Sequence, residues 1–547
     1  MIMKKSIIVI AAAISVTLFS CSDMLEEKNY GKLTVEEIFK NPDNVILYVG
    51  QAYADIKWLH DHWGYWGINT LTSDECVNPV RMPGSHWADG GYWADMNTHN
   101  WSPNSKAFEN LWSKSMSGAI LCNKILQTLK DNEALLDPKV FGQFVGELEV
   151  LRSYYFFTLF DCFGRIPYVE EFKMVRIPQM EVKDVWRKLV DCLEKNAPNM
   201  PVVTDANRAQ NYGRVTQGFA YALLARLYLN AASYGVTDKE YYTECIAACD
   251  KVISSGSYTI EPNFFTNFKI ENKGSKENIF VIVENGSANI DETSDHSMMT
   301  KLRITMLSLH YCHQTAWNLI EKPWNGFCAP PNFINKYDDF DLRGTGKGYE
   351  NDGTNNTGTY GWFIGPVYNA AGTSILKDEN GDEAVIVNEI TSLIAAGWSE
   401  GARMLKYEVD KGKRYKYCEN DFVLFRYADV LYMKAEAELR KNGSTTMIGN
   451  ANFDRIRTRA GVQAYTTLTL DELLNERGRE FAWENIRRRD LIRFGKFANG
   501  SWDGWGSWRG VKSGAHLNWF PIPRAMLEKA PRENGKSIWT QNPGYDN

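Results

Sequence analysis

Three glutamates, Glu476, Glu480 and Glu484, recur every four residues in NERGREFAWENIRRRD and would fall along one stripe of a helix. Carboxylates facing each other across a cleft are the equipment of glycoside hydrolysis. Arg477, Arg487, Arg488 and Asp490 lie close by, however, so the reading favoured here is an internal ion-pair network that locks the last helix. Asp74, Glu75 and Asp89 make a second carboxylate set, although spacing along a chain does not fix the separation that a hydrolase needs. The run Asp378 to Asp382, with Glu389 at a twelfth position, partly imitates a calcium loop. Its glycine stands fourth instead of sixth and its flanks alternate like hairpin strands, so a turn is expected. His60, His62, His86 and His99 are half of the eight histidines, yet no carboxylate or cysteine completes a metal-ligand spacing. No metal and no cofactor is expected.

The tryptophans carry a sharper signal. Seven of eighteen lie between Trp58 and Trp112, two of them in the glycine-rich RMPGSHWADGGYWADM, where neither helical nor strand spacing explains them. Sugar rings have apolar C–H faces edged by hydroxyls, so a sugar site needs flat aromatic platforms with carboxylates, amides and arginine at the rim. Trp58 and Trp112 sit in helical pattern and are read as packing residues. Trp87, Trp93 and Trp101 are expected to face a ligand, with Asp74 and Arg81 beside them. A site long enough for a sugar chain draws on more than one loop, and Trp317, Trp324, Trp362, Arg403 and Tyr407 extend it.

These residues need a scaffold, and 547 residues, 44% of them hydrophobic, can build one. A net charge of -6 offers no general basic surface for nucleic acid. Residues 1–20 read as an export signal: Lys4 and Lys5, then an apolar run from Ile7 to Phe19 too short to span a bilayer as a helix. Leu18-Phe19-Ser20-Cys21 resembles a bacterial lipobox, which implies cleavage before Cys21 and acyl chains on its sulfur. Residues 21–33 would then be a tether. The nine later cysteines are scattered without CxxC pairs and are expected to be mostly buried free thiols.

Helical spacing is plain in GELEVLRSYYFFTLFDCFG, where Leu148, Leu151, Tyr155 and Leu159 share a stripe, and in TQGFAYALLARLYLNAASYG. In the latter Thr216 is a cap, Tyr221, Leu224, Ala225 and Tyr228 the buried face, and Gly235 the terminator. With the helix that follows, up to about Pro262, it reads as a tetratricopeptide-type hairpin, and FRYADVLYMKAEAELRKNG with NANFDRIRTRAGV as a second. Between the pairs, residues 263–420 are rich in Gly, Asn and Asp with short strand-like runs, a loop-rich insertion in a mostly α chain.

Six blocks in order, from RSYYFFTLFDCFGRIPYV and GRVTQGFAYALLARLYLNAA through FRYADVLYMKAEA, NFDRIRTRAG and NERGREFAWENIRRRDLIRFG to NWFPIPRAMLEKA with WTQNPGY, resemble the SusD/RagB family of surface nutrient-binding lipoproteins. Phe163 replaces the tyrosine usual in the first block. The resemblance implies one SusD-like α-helical domain over residues 34–547, tetratricopeptide-type hairpins as scaffold, and an outer-membrane lipoprotein anchored through Cys21. It further implies a binder without catalysis that delivers oligosaccharide or polysaccharide to a SusC-type TonB-dependent transporter. Peptide capture on the same fold and a surface glycoside hydrolase are the alternatives.

Overall fold

The structure is a computed structural model and describes residues 35–82, 87–173, 176–284, 303–345, 360–411, 418–498 and 514–546. The expected export signal, Cys21 and the expected tether lie outside them, as do residues 83–86 of the tryptophan-rich loop.

Two long helices, Lys106–Asp131 and Pro138–Phe163, are joined by a short turn and pack along their length. Asp137 caps the second by accepting from the amides of Lys139 and Val140, and Pro138 suits its first position because no amide is needed there. Gly164 ends it at φ 69°. The close approach rests on Gly118, where a Cβ would lie 2.3 Å from the Tyr155 ring. That ring cannot retreat, because its hydroxyl donates to the Ala52 carbonyl at 2.7 Å. Gly118→Val is therefore expected to destabilise the protein by about 1–3 kcal/mol, the usual cost of overpacking, read as a lowered midpoint in denaturant unfolding.

The helical stack continues through Val182–Asn196, Gln217–Leu229 and Tyr242–Ser254. Thr216 caps Gln217–Leu229 as expected, its hydroxyl accepting from the Phe219 amide. The buried face is wider than one stripe. Phe219, Leu223 and Leu227 are buried with Leu224, Ala225 and Tyr228, while Tyr221 is the partly exposed member. Helices on several sides explain it, since neighbours leave no solvent face to keep polar.

The two hairpin pairs, far apart in sequence, are neighbours in space. Tyr427–Asn442 packs on Tyr242–Ser254, with Arg226 paired to Asp429 at 2.7 Å and Lys434 to Asp250 at 2.6 Å. The insertion therefore leaves and re-enters one helical stack. Its base is closed by the strands Asn278–Ile282 and Phe422–Arg426, antiparallel and buried at every position, with a register irregularity around Phe280. Within it Gly361–Phe363 pairs with Arg403–Leu405 and Gly365–Pro366 with Val385–Ile386. An antiparallel bridge from Lys377 to Glu383 closes the turn expected at Asn380-Gly381, where Asp378 Oδ1 accepts from the amides of Asn380 and Asp382. Leu309, Trp317, Val367, Ile386, Trp398 and Leu405 give the insertion a small core of its own. The nine cysteines from Cys76 to Cys418 are free thiols, eight of them buried.

The three glutamates form an internal ion-pair network, but Glu484 lies past the end of the helix at Glu480. The cations are not the neighbours Arg477, Arg487 and Arg488, which turn to Asp429 and Asp490, to Asp74, and to the Leu517 and Asn518 carbonyls. Glu476 meets Arg343, Arg457 and Arg479; Glu480 meets Arg343, Arg426 and Arg459; Glu484 meets Arg426 and Lys406. Glu277, just before the first strand of the ladder, also holds Arg426 and Arg459, at 2.6 and 2.5 Å. Arg343 and Arg426 come from the insertion and its closing strand, so the network rivets the loop-rich region to the Leu470–Glu480 helix.

Candidate functional site

The tryptophan-rich region forms a sheet of rings over the helical stack. Trp93 lies at its centre, fully buried at 0% exposure, with Nε1 donating to Asp89 Oδ2 at 2.7 Å. Trp63 lies on one side of it at 4.5 Å between centroids and Trp87 on the other at 5.9 Å. Tyr92 meets both Trp63, at 5.2 Å, and Trp93, at 4.8 Å and edge to face, and Trp324 of the insertion extends the group beyond Trp87, at 5.1 Å and edge to face. Phe327 and His62 back Trp87 at 4.9 and 5.3 Å. Trp63, Trp87, Tyr92 and Trp324 are each partly exposed, so the row presents ring surface to solvent while its centre is core. Lys106 stands 5.1 Å over the Trp63 ring, and the exposed Asp89 lies at the foot of Trp93, so charge borders the row.

Each ring is held. Trp87 lies against Gly326, where a Cβ would come within 2.4 Å of it; only a glycine admits the indole there. Backbone bonds from Trp324 to Met306 and from Gly326 and Phe327 to Leu307 fix the strip carrying Trp324. Arg81 fastens the same strip from below. Its guanidinium donates to the carbonyls of Asn325, Gly397 and Glu400 at 2.7–2.9 Å. Arg403 repeats the device, donating to Glu400 and Trp398, each at 2.9 Å. Burial, with Arg81 alongside, pulls the Arg403 guanidinium down to about 9.

Several expected ligand contacts are corrected by these positions. Trp93 is core because the short helix Tyr92–Asn97 turns it inward and Tyr92 outward. Arg81 and Arg403 are buried and spend their donors on backbone carbonyls, so they are positioning residues and not rim groups. Asp74 is buried in a two-point ion pair with Arg487, at 2.7 and 3.0 Å. Trp101 is buried with Nε1 on the Tyr545 hydroxyl, and Trp362 is buried against Trp483 and Phe333. Trp317 is buried in the insertion's own cluster beside His313. Tyr407 is buried on Phe422, its hydroxyl accepting from the Val423 amide. Of the ten, Trp87 and Trp324 keep exposed surface and lie together. Trp63 and Tyr92, not chosen from the sequence, complete the row; the signal available was aromatic density alone.

Beneath the row, Glu75 accepts from the Trp483 amide at 3.0 Å, and the Trp483 indole donates to the Glu75 carbonyl at 2.8 Å. Burial first, then the neighbouring Asp74, push this carboxyl up to about 8 against the opposing pull of the Trp483 amide. A raised carboxyl retains a proton that the unfolded chain releases, so its contribution falls as pH rises from about 4.5 to about 8. Glu75→Gln should match wild type near pH 5 and exceed it near pH 9 by on the order of 3 kcal/mol, measured by urea unfolding at both values. Asp74 and Glu75 are both buried, which leaves Asp89 as the exposed one of the three candidate hydrolytic carboxylates. Among the described residues no group of three or more His, Cys, Asp or Glu side chains is placed to hold a metal ion. His60 instead shares a 2.7 Å hydrogen bond with the Tyr154 hydroxyl.

Residues 276–545 match the SusD family model, and residues 57–229 match a SusD-like model described as starch-binding, associating with outer membrane. The chain belongs to the SusD family. It is 24% identical to the starch-binding protein SusD of Bacteroides thetaiotaomicron over 504 residues, which cover 87% of this chain and 84% of that one. Among solved structures, the family fold recurs in surface glycan-binding protein A of Bacteroides thetaiotaomicron, with TM-score 0.71, 20% identity, and coverage of 92% of this chain and 100% of that one. The same protein in complex with laminarihexaose gives TM-score 0.68 at 19% identity, covering 92% and 99%. The mostly α scaffold is thus the SusD fold, and among the described residues no helix is long and apolar enough to cross a membrane.

Proposed function

We propose that this SusD-family chain captures oligosaccharide at the cell surface on the row Tyr92, Trp63, Trp87 and Trp324, without catalysis, and passes it to a SusC-type TonB-dependent transporter. The carrying observation is that four partly exposed rings from two distant parts of the chain are gathered around the buried Trp93 into one contiguous group. A preorganised row stacks on sugar faces without losing its own side-chain freedom, which is where open sites otherwise lose affinity. The names of the relatives, one starch-binding and one seen with laminarihexaose, support glucans as the first ligands to test. Lipid on Cys21 would hold the protein at the outer membrane through its acyl chains alone.

Calorimetric titration with malto- and laminari-oligosaccharides of increasing length should show affinity rising with length until the row is filled. The recovered sugar should be intact after prolonged incubation. Shortened products would contradict the non-catalytic reading, and absence of heat for every glycan tried would contradict the binding one.

A further inference from the structure

Two adjoining cavities, of about 450 and 320 Å³, share Ile46, Glu147 and Arg214 and together form a second groove with no residue in common with the aromatic row. Its walls come from the Pro42–Gly50 helix, the start of Pro138–Phe163 and the loop from Pro201 to Val215, and its far end is Val281 to Val283. The lining is mainly apolar and open, with Gln143, Asn207, Gln210 and Asn211 among it: Ile46 is 38% exposed, Leu135 58%, Val140 36% and Val283 39%. The charged groups at its floor are already matched. Arg214 grips Glu147 through two hydrogen bonds, and Tyr53 donates to the same carboxylate at 2.6 Å while accepting from the Val215 amide. Mainly apolar walls over a satisfied ion pair, with amides interspersed, suit a segment that carries apolar side chains among polar ones.

The chain itself supplies such side chains at the groove's edge. Residues 1–34 precede the described body and join it at Val35, one helical turn before Phe39, which lines the larger cavity. The stretch MLEEKNYGKL, residues 24–33, carries Met24, Leu25, Tyr30 and Leu33 among polar residues. At roughly 3.3 Å per extended residue, Leu33 and Tyr30 stay within about 20 Å of the entry point, and Met24 and Leu25 within about 40 Å. We propose that residues 24–33 dock in this groove, with Tyr30 and Leu33 in the cavity beside Phe39. A short covalent link gives an effective concentration in the millimolar range, so a contact too weak to hold a free peptide suffices. If Cys21 carries the anchor, as the functional reading has it, docking also fixes the orientation of the body at the membrane; the docking itself does not depend on glycan binding.

Hydrogen exchange on the full-length protein, read by mass spectrometry, tests the docking. Amides of residues 24–33 should exchange at least tenfold more slowly than in the free peptide of the same sequence. Ile46→Glu and Val140→Glu, at sites more than a third exposed, should abolish that protection while leaving Tm and glycan titration unchanged. Tyr30→Glu with Leu33→Glu should lose it from the other side. Free-peptide exchange rates in wild type would overturn the proposal. So would protection that survives all of these variants, or groove protection that appears only on adding a partner protein or rises with protein concentration.

Discussion

Trp87→Ala is expected to weaken oligosaccharide binding by about thirtyfold, the effect of losing a central aromatic contact of about 2 kcal/mol. Trp324→Ala should cost nearly as much, because the two rings meet edge to face at 5.1 Å and each holds the other's orientation. That coupling makes the double variant informative. Rings acting as one platform should give a combined loss smaller than the sum of the single losses, since the first truncation already frees the second ring. Trp93→Ala also belongs in the series. Its ring is core, so it should lower Tm, and any affinity it costs should come through displacement of Trp63 and Trp87. The measurement is calorimetry on variants whose far-ultraviolet circular dichroism matches wild type. Unchanged affinity in both Trp87→Ala and Trp324→Ala would remove the row from the site.

The largest stability effect is expected at Arg426. Its guanidinium bonds to Glu277, Glu480 and Glu484 at 2.6–2.9 Å, and all four residues are buried. Arg426→Met leaves three carboxylates short of a counter-charge, and breaking one side of such a pair costs about 3–5 kcal/mol. Against a typical total of about 5–15 kcal/mol, the variant should unfold at markedly lower denaturant. It should also loosen the insertion, because Arg426 closes the ladder at Asn278. Acid should act on the same network. Burial alone would raise the Glu476 and Glu480 carboxyls, but the guanidiniums of Arg343, Arg479 and Arg457 around the first, and of Arg459, Arg426 and Arg343 around the second, outweigh it and hold both well below the usual range. Their stabilisation is present above the unfolded-state value near 4.5 and is lost as pH falls toward the folded-state values. A shift of the Arg426→Met midpoint equivalent to under about 1 kcal/mol would show that the network contributes little.

Much of this architecture is legible before any coordinates. The helix cap at Thr216, the turn at Asn380-Gly381 and the pairing of the buried glutamates follow from local chemistry, and local chemistry is what a sequence displays. The glutamates' partners were not legible. Arg343 and Arg426 stand far from Glu480 along the chain, and only the folding of the insertion onto the last helices brings them together. The site shows the same division. Aromatic density marked the right stretch, but Tyr92 and Trp93 are adjacent and both aromatic, so nothing in their types says which faces inward. Arg81 and Arg403 look like ligand-binding cations until the carbonyls of Gly397, Trp398 and Glu400 are seen around them. A buried arginine satisfied by backbone and an exposed one awaiting a ligand have the same letter.

A crystal structure of the protein with a bound oligosaccharide decides whether the rings from Tyr92 to Trp324 receive a sugar. Sugar rings are expected to stack within about 4 Å of the Trp87 and Trp324 faces, with the indoles where they stand in the free protein. An oligosaccharide bound elsewhere, with the row bare, would contradict the proposed site.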